Sequence, residues 1–502
     1  GGGVAGPVSS WGTSFAGVED VSWRALPGQL ALSGSPLPEP ERRSLHNLMH
    51  GAIKVSAGDA DGDGDTDVVA AAYWAGEIVL FLNRGGDPVE WDSQLIVSDF
   101  TNAGAAVFAD VDQDGRVDIL GGADELGQVA WWRNEGGDPL EWSRTTIVSG
   151  FAGVHDVAAA DIDGDGDVDL VVPGYEADEI VWWRNDGGSP MQWTGFSVDS
   201  DVDYPTKVHL ADLDDDGDVD IVGTAWHDAV VSWWRNDGGE SPQWSRQDIA
   251  TGFVGTHWVD VADVDGDGRL DVLAAAMNRG ELAWWRQHGD ETIEWQYNTV
   301  TTALEGAVSV DATDLDGDGD IDVAGSGWSP NGGVSWWENR NGQGTSWWRH
   351  VVDDDFEESS SVHVADVDGD GALDVLATSW NLDEVAWWRV SEFVPTGTLT
   401  STVLDTGGVW RWSACVVESY RPPGADLRLE ARAGSDPADL GEWSVVIPGV
   451  APHFDDDGAR YLQYRLTLSS TDPTRSPTVK AVGFDWVPPP PQLRRAGRRL
   501  HP

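Results

Sequence analysis

The sequence is short of several features that define whole classes of protein. It has one cysteine, Cys415, in 502 residues, which rules out an internal disulfide. It has no run of 18 apolar residues, so we expect no membrane-spanning helix. Only three lysines occur, and the formal net charge is −57. Because nucleic acids and anionic lipid surfaces are bound by clustered basic side chains, this balance argues against both as partners.

Aspartate, by contrast, is abundant and regularly spaced. A nine-residue acidic motif, D-x-D-x-D-G-x-x-D, occurs seven times; residues 161–169 read DIDGDGDVD. Successive motifs begin 51 residues apart, with one interval of 52. A constant period of this length indicates one supersecondary unit per repeat, stacked on its neighbours. The motifs begin at Asp59, Asp110, Asp161, Asp212, Asp263, Asp314 and Asp366.

Each repeat contains four short segments rich in Val, Ile and Trp, bounded by Gly, Pro, Asn or Asp. Residues 151–201 contain FAGVHDVAAA, VDLVVPGY, EIVWWRND and MQWTGFSVDS. Such segments predict four antiparallel strands, and seven sets of four predict an all-β fold, a seven-bladed β-propeller. A solenoid is the alternative. The seventh repeat stops at EVAWWRV, and ERRSLHN (41–47) matches its missing fourth strand, which favours a closed ring.

A pair of large apolar residues recurs in the third segment of each repeat. Neighbouring strand residues face opposite sides of a sheet, so one should pack on the preceding blade and one on the following blade. We interpret these pairs as core rather than as a ligand site. They are Leu80–Phe81, Trp131–Trp132, Trp182–Trp183, Trp233–Trp234, Trp284–Trp285, Trp336–Trp337 and Trp387–Trp388.

The acidic motif has the donor pattern of a calcium loop. Carboxylates stand at positions 1, 3, 5 and 9, a backbone carbonyl at position 7 can add an oxygen, and glycine at position 6 permits a sharp turn. Hard oxygen ligands on a flexible loop suit Ca²⁺ better than Zn²⁺, while Mg²⁺ retains more water. An Asp-rich solvated turn is the alternative, but without a cation its charges would repel.

We therefore predict about seven structural calcium ions, one in each loop. Extracellular modules of this kind bind calcium at roughly 10⁻⁴ to 10⁻³ M, far above cytosolic levels, so the loops imply a secreted or cell-surface protein. The predicted ligands are Asp59, Asp61, Asp63, Asp65 and Asp67; Asp110, Asp112, Asp114, Arg116 and Asp118; Asp161, Asp163, Asp165, Asp167 and Asp169; Asp212, Asp214, Asp216, Asp218 and Asp220; Asp263, Asp265, Asp267, Arg269 and Asp271; Asp314, Asp316, Asp318, Asp320 and Asp322; and Asp366, Asp368, Asp370, Ala372 and Asp374.

The acidic loop, the W-W-R-N segment and the 51-residue spacing together resemble the FG-GAP/VCBS repeat proteins, over about residues 40–391. The resemblance implies a calcium-binding propeller like the head of integrin α chains. Such repeats occur in adhesins, bacterial lectins and the propellers of some polysaccharide lyases. The resemblance therefore implies a fold and a metal without choosing a function.

A candidate ligand site lies on the face opposite the acidic loops. The turn between the second and third strands begins 14 residues after each first aspartate, and five of the seven residues there are aromatic. Aromatic faces beside polar groups suit carbohydrate, although the rings could instead fill space between blade tops. The predicted ligand-binding residues are Tyr73, Trp74, His155, Tyr175, Trp226, His227, His257, Trp328 and Trp380.

Three functions remain open from the sequence. The first is binding or adhesion, with an extracellular glycan or surface partner; the second is a structural subunit that self-assembles through its terminal segments. The third is a polysaccharide-degrading enzyme, since His155, Tyr175, Lys207 and His257 could supply a base and a cation to a uronate lyase. An acidic protein repels a polyanion, and no glycosidase carboxylate pair, nucleophile elbow or phosphate loop occurs, so we assign no catalytic residue.

The repeat region is flanked by segments of different character. We divide the chain into an N-terminal lead-in at 1–39, the propeller at 40–392, a β-sandwich at 397–487 and a Pro-rich basic tail at 488–502. The lead-in contains two short segments, VEDVSW and QLALSG, that could each form a strand against another domain or another subunit. The sandwich follows from alternating apolar and polar residues between turns, and it resembles small modules of secreted bacterial proteins. We expect Cys415 to be a buried thiol.

Overall fold

The computed structural model describes residues 2–7, 15–19, 21–23, 30–32, 34–37, 40–239, 241–289, 293–393, 396–401, 403–405, 411–421, 424–448, 460–470 and 478–487. The chain divides into two compact units, residues 36–316 with 320–392, and residues 1–35 with 317–319 and 393–502. Strands dominate both units. A single 3-10 turn, Met277–Arg279, is the only helical element of the described residues. None of their helices could therefore cross a membrane.

The larger unit is a seven-bladed β-propeller, each blade a four-stranded antiparallel sheet. The first to fourth strands are Ala52–Gly58, Asp67–Ala72, Glu77–Asn83 and Trp91–Val97 in blade 1; Ala103–Ala109, Asp118–Ala123, Gln128–Gly136 and Glu141–Ser149 in blade 2; Ala158–Ala160, Asp169–Gly174, Glu179–Asn185 and Trp193–Asp199 in blade 3; Pro205–Ala211, Asp220–Ala225, Val230–Asn236 and Trp244–Thr251 in blade 4; Thr256–Ala262, Asp271–Ala276, Glu281–His288 and Glu294–Thr301 in blade 5; Ala307–Thr313, Asp322–Gly327, Gly333–Asn339 and Trp347–Asp353 in blade 6; and Ser359–Ala365, Asp374–Ser379, Glu384–Arg389 and Arg43–His46 in blade 7.

Blade 7 closes the ring as the sequence predicts. Its fourth strand, Arg43–His46, comes from the N-terminal side and pairs antiparallel with Glu384–Arg389. An apolar cluster that contains Phe81 of blade 1 and Trp387 of blade 7 joins the first blade to the last. Closure therefore rests on both main-chain pairing and burial of aromatic side chains.

The aromatic pairs form the core between blades. Trp131 packs with Leu170 and Val172 of blade 3, whereas its neighbour Trp132 packs with residues of blade 1, among them Ile78. The first member of a pair thus faces the following blade and the second faces the preceding one. The interpretation of these residues as core is confirmed, because alternate strand residues must point to opposite faces.

In five blades an asparagine, or Gln287 in blade 5, ties the third strand to the acidic loop of the preceding blade. Asn134 Nδ2 donates to the Ala60 carbonyl at 2.8 Å, and Asn236 Nδ2 donates to the Ile162 carbonyl at 3.0 Å. Across the closure, Asn83 Nδ2 donates to the Val367 carbonyl at 2.7 Å. Each acceptor is the second residue of an acidic loop. The bond therefore links the conformation of that loop to the packing between the two adjacent blades.

The smaller unit contains two larger sheets, in which neighbouring strands are often far apart in the sequence. One joins Gly2–Pro7, Val21–Trp23, Leu30–Leu32, Arg411–Tyr420 and Thr478–Val487. The other joins Phe15–Glu19, Thr396–Ser401, Leu404–Asp405, Ala425–Gly434, Ser444–Val445 and Tyr461–Ser470. Two further strands, Gly34–Pro36 and Ser391–Phe393, form a sheet of their own.

Strands of the N-terminal segment pair with strands of the C-terminal region. Phe15–Glu19 pairs antiparallel with Thr396–Ser401, and Gly2–Pro7 pairs with Thr478–Val487. A division at residue 39 therefore separates strands that share sheets with the C-terminal region. The partners lie hundreds of residues apart, so local sequence patterns do not reveal the pairing.

A ring contact joins the two larger sheets of the smaller unit. The rings of Tyr464 and Phe484, one from each sheet, have centroids 5.7 Å apart. Cys415 is fully buried, as expected, and burial raises the pKa of its thiol to about 12. The predicted basic tail at 488–502 lies outside the described residues.

The Asn134→Ala variant tests the tie between blades. It leaves the buried carbonyls of Ala60 and Val117 without their side-chain donor, so we expect the free energy of unfolding to fall by about 1–3 kcal/mol. Chemical denaturation of the metal-loaded protein measures the loss. Asn298→Ala is the control, because the Asn298 side chain donates a solvent-exposed hydrogen bond to the nearby Gln296 carbonyl. Equal losses for the two variants would contradict the coupling.

Candidate functional site

The seven acidic loops share one backbone design. In the first loop, Asp59 accepts from the amides of Gly62 at 2.8 Å and Gly64 at 3.1 Å, so the loop folds around its own first carboxylate. Gly64 has φ of 94°, and the corresponding glycine of every loop has φ between 86° and 102°. An L side chain at that position would be strained, which explains the glycine at position 6.

Carboxylate oxygens converge in these loops. In five of them, three carboxylates have oxygens within 4.8 Å of one another, an arrangement that can hold a metal ion. In loops 1, 2, 3 and 5, the carboxylates at motif positions 1, 3 and 9 come together. In loop 4, the three carboxylates are those at positions 1, 3 and 5. The groups are Asp59, Asp61 and Asp67; Asp110, Asp112 and Asp118; Asp161, Asp163 and Asp169; Asp212, Asp214 and Asp216; and Asp263, Asp265 and Asp271.

The aspartate at position 9 anchors each loop to the blade. Asp67 is fully buried and accepts from the Ala60 amide at 2.8 Å and the Asn83 amide at 2.7 Å. Asp322 does the same in the sixth loop, with the amides of Leu315 and Asn339. This carboxylate therefore links the loop, the second strand and the third strand.

Burial raises the pKa of the aspartates at position 9. It raises the pKa of Asp67 to about 6 and that of Asp271 to about 7, against the opposing effect of backbone amides. In the seventh loop, burial and the neighbouring Asp368 raise the pKa of Asp370 to about 8. A bound cation would lower the pKa of these carboxyl groups, because it favours their charged form.

The donor set fits a hard divalent cation. Asp112 Oδ1 and Asp214 Oδ1 are buried and accept no hydrogen bond from the described residues, so each retains a lone pair for a metal. The carbonyl at position 7 stays a predicted ligand. The amide of that residue instead donates to the position 5 carboxylate, as from Asp65 to Asp63 at 2.9 Å.

In five of the loops an arginine offsets part of this charge, a contact that sequence reasoning missed. Arg235, from the W-W-R-N segment, lies 2.7 Å from Asp214 and 2.8 Å from Asp216. Arg286 makes the same two contacts in the next blade, with Asp265 and Asp267. The arginine is present in the sequence motif, but its register toward positions 3 and 5 follows only from the strand geometry.

The nine predicted ligand-binding residues all line a single cavity of about 500 Å³, which we call the cup. They come from six of the seven blades. Ring centroids follow each other round the wall at 5.0 Å from Trp328 to Trp380 and 5.4 Å from Trp380 to Tyr73. The series continues through His155 to Tyr175, at 5.8 and 5.5 Å. The cup is therefore walled by nearly continuous aromatic surface.

A repeated backbone hydrogen bond places these side chains. The first residue of the turn donates its amide to a residue with positive φ that precedes the blade's first strand. Tyr73 donates to the Gly51 carbonyl at 2.8 Å, and Trp328 donates to the Gly306 carbonyl at 2.8 Å. The same bond occurs in all seven blades, and in every blade but the second the donor residue lines the cup.

Tyr204 is a wall residue that sequence reasoning missed. Its ring lies 4.6 Å from Tyr175 and 4.6 Å from His227, and its φ is 62°. A bulky residue with positive φ is uncommon, and such strain is typical of functional sites. The equivalent residue is glycine in four other repeats, so the exception was visible by aligning the repeats: Gly51, Gly153, Gly255 and Gly306.

Blade 2 holds the tyrosines of the wall. The hydroxyls of Tyr73 and Tyr175 both donate to Asp124 Oδ2, and Asn102 Nδ2 donates to the Tyr73 oxygen at 3.2 Å. Burial and Asp124 raise the pKa of both phenols, which keeps them protonated. Burial also lowers the pKa of His257 to about 4, so this wall residue is neutral at pH 7.

A larger cavity, about 820 Å³, lies beside the acidic loops of blades 4 and 5. Its walls are polar, and charged groups there are already paired, as Arg235 is with Asp214. It offers no aromatic wall comparable with that of the cup. The cup is therefore the stronger candidate for a small-molecule site.

The metal-free protein should have an unusual pH dependence. Buried loop aspartates have folded pKa values of about 6 to 7, above the unfolded value of about 3.9, so the folded state binds more protons between these values. Stability should rise as pH falls from 8 to 5 and be lost as pH rises through 6 to 7. Thermal melts in chelator measure this trend.

The calcium-loaded protein is the control for that pH scan. Protons compete with the ion for the same carboxylates, so its melting temperature should fall over the interval in which that of the metal-free protein rises. A metal-free melting temperature that falls from pH 8 to pH 5 would contradict the assigned burial of these aspartates.

Comparison with known proteins agrees with this geometry. No curated protein matches the chain significantly. The family model described as FG-GAP-like repeat matches residues 59–121, 110–172, 212–274, 263–325 and 314–377, together more than half of the chain. Such repeats typify extracellular proteins, and their calcium sites agree with the aspartate groups seen here. The chain belongs to the FG-GAP-like repeat proteins.

Proposed function

We propose that this protein is a secreted, calcium-stabilised propeller that binds extracellular glycans in the cup. The observation that carries the proposal is the convergence of nine predicted residues on one cavity of about 500 Å³. That volume is within the range of small-molecule sites. Where the glycan is attached to a cell surface, its binding in the cup would give adhesion.

The cup offers the two kinds of contact that a sugar needs. The apolar faces of Trp226, Trp328 and Trp380 suit the C–H face of a pyranose. His257 Nδ1 is buried and has no hydrogen-bond partner among the described residues, so it can exchange a hydrogen bond with a hydroxyl. The lowered pKa of His257 and the raised pKa values of Tyr73 and Tyr175 keep these three cup side chains uncharged and able to exchange hydrogen bonds with hydroxyls.

Calcium supports the cup from the opposite face of the propeller. In the proposal, each ion offsets two negative charges of one loop, and the side-chain tie connects the fixed loop to the next blade. Millimolar extracellular calcium would fill sites of the expected affinity, which is why we place the protein outside the cell.

Chelation should lower the melting temperature by ~20 °C or more. At ten times its Kd, each ion adds about 1.4 kcal/mol, and seven ions add about 10 kcal/mol. Calorimetry with and without chelator measures the difference. Readdition of Ca²⁺ should restore the melt, whereas equimolar Mg²⁺ should restore little of it. An unchanged melt after chelation would refute a structural role for the metal.

Replacement of Trp226, Trp328 and Trp380 by Ala should abolish glycan binding without changing the melt. Each ring is worth about 1 kcal/mol, so the triple variant should weaken Kd about a hundredfold. Trp348→Ala is the matched control, because Trp348 is as exposed as Trp74 of the cup, at 56 %, but lies on an outer strand. Glycan-array retention of the triple variant at the wild-type level would show that the ligand binds elsewhere.

Tyr204→Gly separates binding from stability within the same experiment. Glycine relieves the positive φ of 62°, so the melting temperature should hold or rise while glycan affinity falls. A variant that loses stability and keeps its affinity would assign Tyr204 to the core instead.

A polysaccharide lyase is the second candidate, because His155, Tyr175 and His257 line the cup together. The Tyr175 hydroxyl donates to Asp124, which disfavours Tyr175 as a base. Incubation with uronate polysaccharides and absorbance of unsaturated products tests turnover directly. Product release at wild-type rate by a His257→Gln variant would remove that histidine from the reaction.

A further inference from the structure

A small polar cavity lies against the floor of the cup. It measures about 20 Å³ and is lined by Lys54, Asp156, Lys207 and Trp258. Its remaining walls include five residues that also line the cup, so the two cavities adjoin: Ile53, His155, Thr206, His257 and Trp328. Lys54, Asp156, Lys207 and Trp258 occupy equivalent positions of four repeats, five residues before the acidic motif, and all but Asp156 lie in the first strand of their blade.

Two of the three lysines in the sequence meet at this floor. Lys207 Nζ lies 2.7 Å from Asp156 Oδ1, and Lys54 Nζ lies 3.8 Å from the same oxygen. The Lys54 ammonium is also 3.9 Å from the centre of the Trp258 ring. All three charged side chains are nearly inaccessible to solvent. Two buried cations thus share one carboxylate, which leaves one positive charge unmatched.

The cost of that unmatched charge falls on Lys54. Burial, and then repulsion from Lys207, lower its pKa well below the ordinary value. The second oxygen of Asp156 is engaged by the Val208 amide at 3.3 Å. A second carboxylate beside Lys54 would complete the pairing and favour the charged ammonium.

We propose that the cup recognises a sugar that bears a single carboxylate, and that Lys54 and Lys207 bind this carboxylate at the floor. The inference rests on the proposed glycan function and names its ligand class. Isolated or terminal uronic acids have this chemistry: an apolar C–H face for the aromatic wall and one acidic group for the lysines.

Size and charge narrow the ligand further. A space of about 20 Å³ accepts roughly one water-sized atom, which suits a carboxylate oxygen better than a bulky tetrahedral sulfate. Glu125 and Glu176 line a second cavity beside the cup, and Asp203 bonds the cup residue His227 at 2.9 Å. The negative charge of these acids would repel a polyanionic chain. We therefore expect the recognised sugar to be a single uronic acid among neutral sugars.

Matched sugars test the inference on the full, calcium-loaded protein. The probes are the methyl glycosides of glucuronate and glucose, galacturonate and galactose, and mannuronate and mannose, with glucose 6-sulfate as the bulky anion. Isothermal calorimetry should show that the acid binds at least tenfold more tightly than its neutral partner in one pair. The sulfate should bind no better than glucose.

Two variants connect that preference to the floor. Lys54→Met keeps the Lys207–Asp156 pair and should remove the acid preference while the neutral sugar keeps its Kd. Asp156→Asn should strengthen binding of the acid, because it frees both ammonium groups. Melting temperatures confirm that each variant is folded.

The outcomes separate the two levels of the account. Equal affinity for acid and neutral partners in every pair would overturn the carboxylate inference and leave glycan binding in place. Retention of the acid preference by Lys54→Met would also overturn it. Failure of every sugar to bind would overturn both the inference and the proposed function.

Discussion

Repulsion among the aspartates of the seven acidic loops is the constraint on which the rest of the structure depends. Each loop concentrates carboxylates within a few ångströms and buries the one at position 9. In five loops an arginine offsets only part of that charge, as Arg235 does for Asp214 and Asp216. Because an asparagine or glutamine ties five of the loops to the following blade, whatever offsets the charge of these loops also affects the rigidity of the ring.

The cup inherits its geometry from that ring. Its wall draws on six blades, and the same backbone hydrogen bond places one turn residue from each of these six. Departures from the repeat then supply the chemistry. Tyr204 stands where four repeats have glycine, and Lys54, Asp156, Lys207 and Trp258 break the symmetry of one ring of inner-strand positions. Repetition thus builds the scaffold, and the exceptions to it mark the candidate binding site.

Much of this was predictable because the relevant signals are local and repeated. Spacing alone indicated the blades, the Trp pairs indicated the cores between them, and Arg43–His46 was identified as the closing strand by its offset. The cup residues were predictable because equivalent turn positions of a propeller must face one end. Spacing carries no such information for Lys54 and Asp156, since only the strand bulges and side-chain packing show which inner residues meet at the axis. The pairing of Phe15–Glu19 with Thr396–Ser401 was equally hidden, because the strands are short and distant in sequence.

The most direct test of the account is affinity electrophoresis of the calcium-loaded protein through gels that contain neutral or uronate-bearing polysaccharides. The account predicts selective retardation in a gel whose polysaccharide carries sparse uronic acid, and loss of that retardation when the gel contains chelator. Unaltered mobility in every gel, with calcium present, would contradict the assignment of the cup as a glycan site.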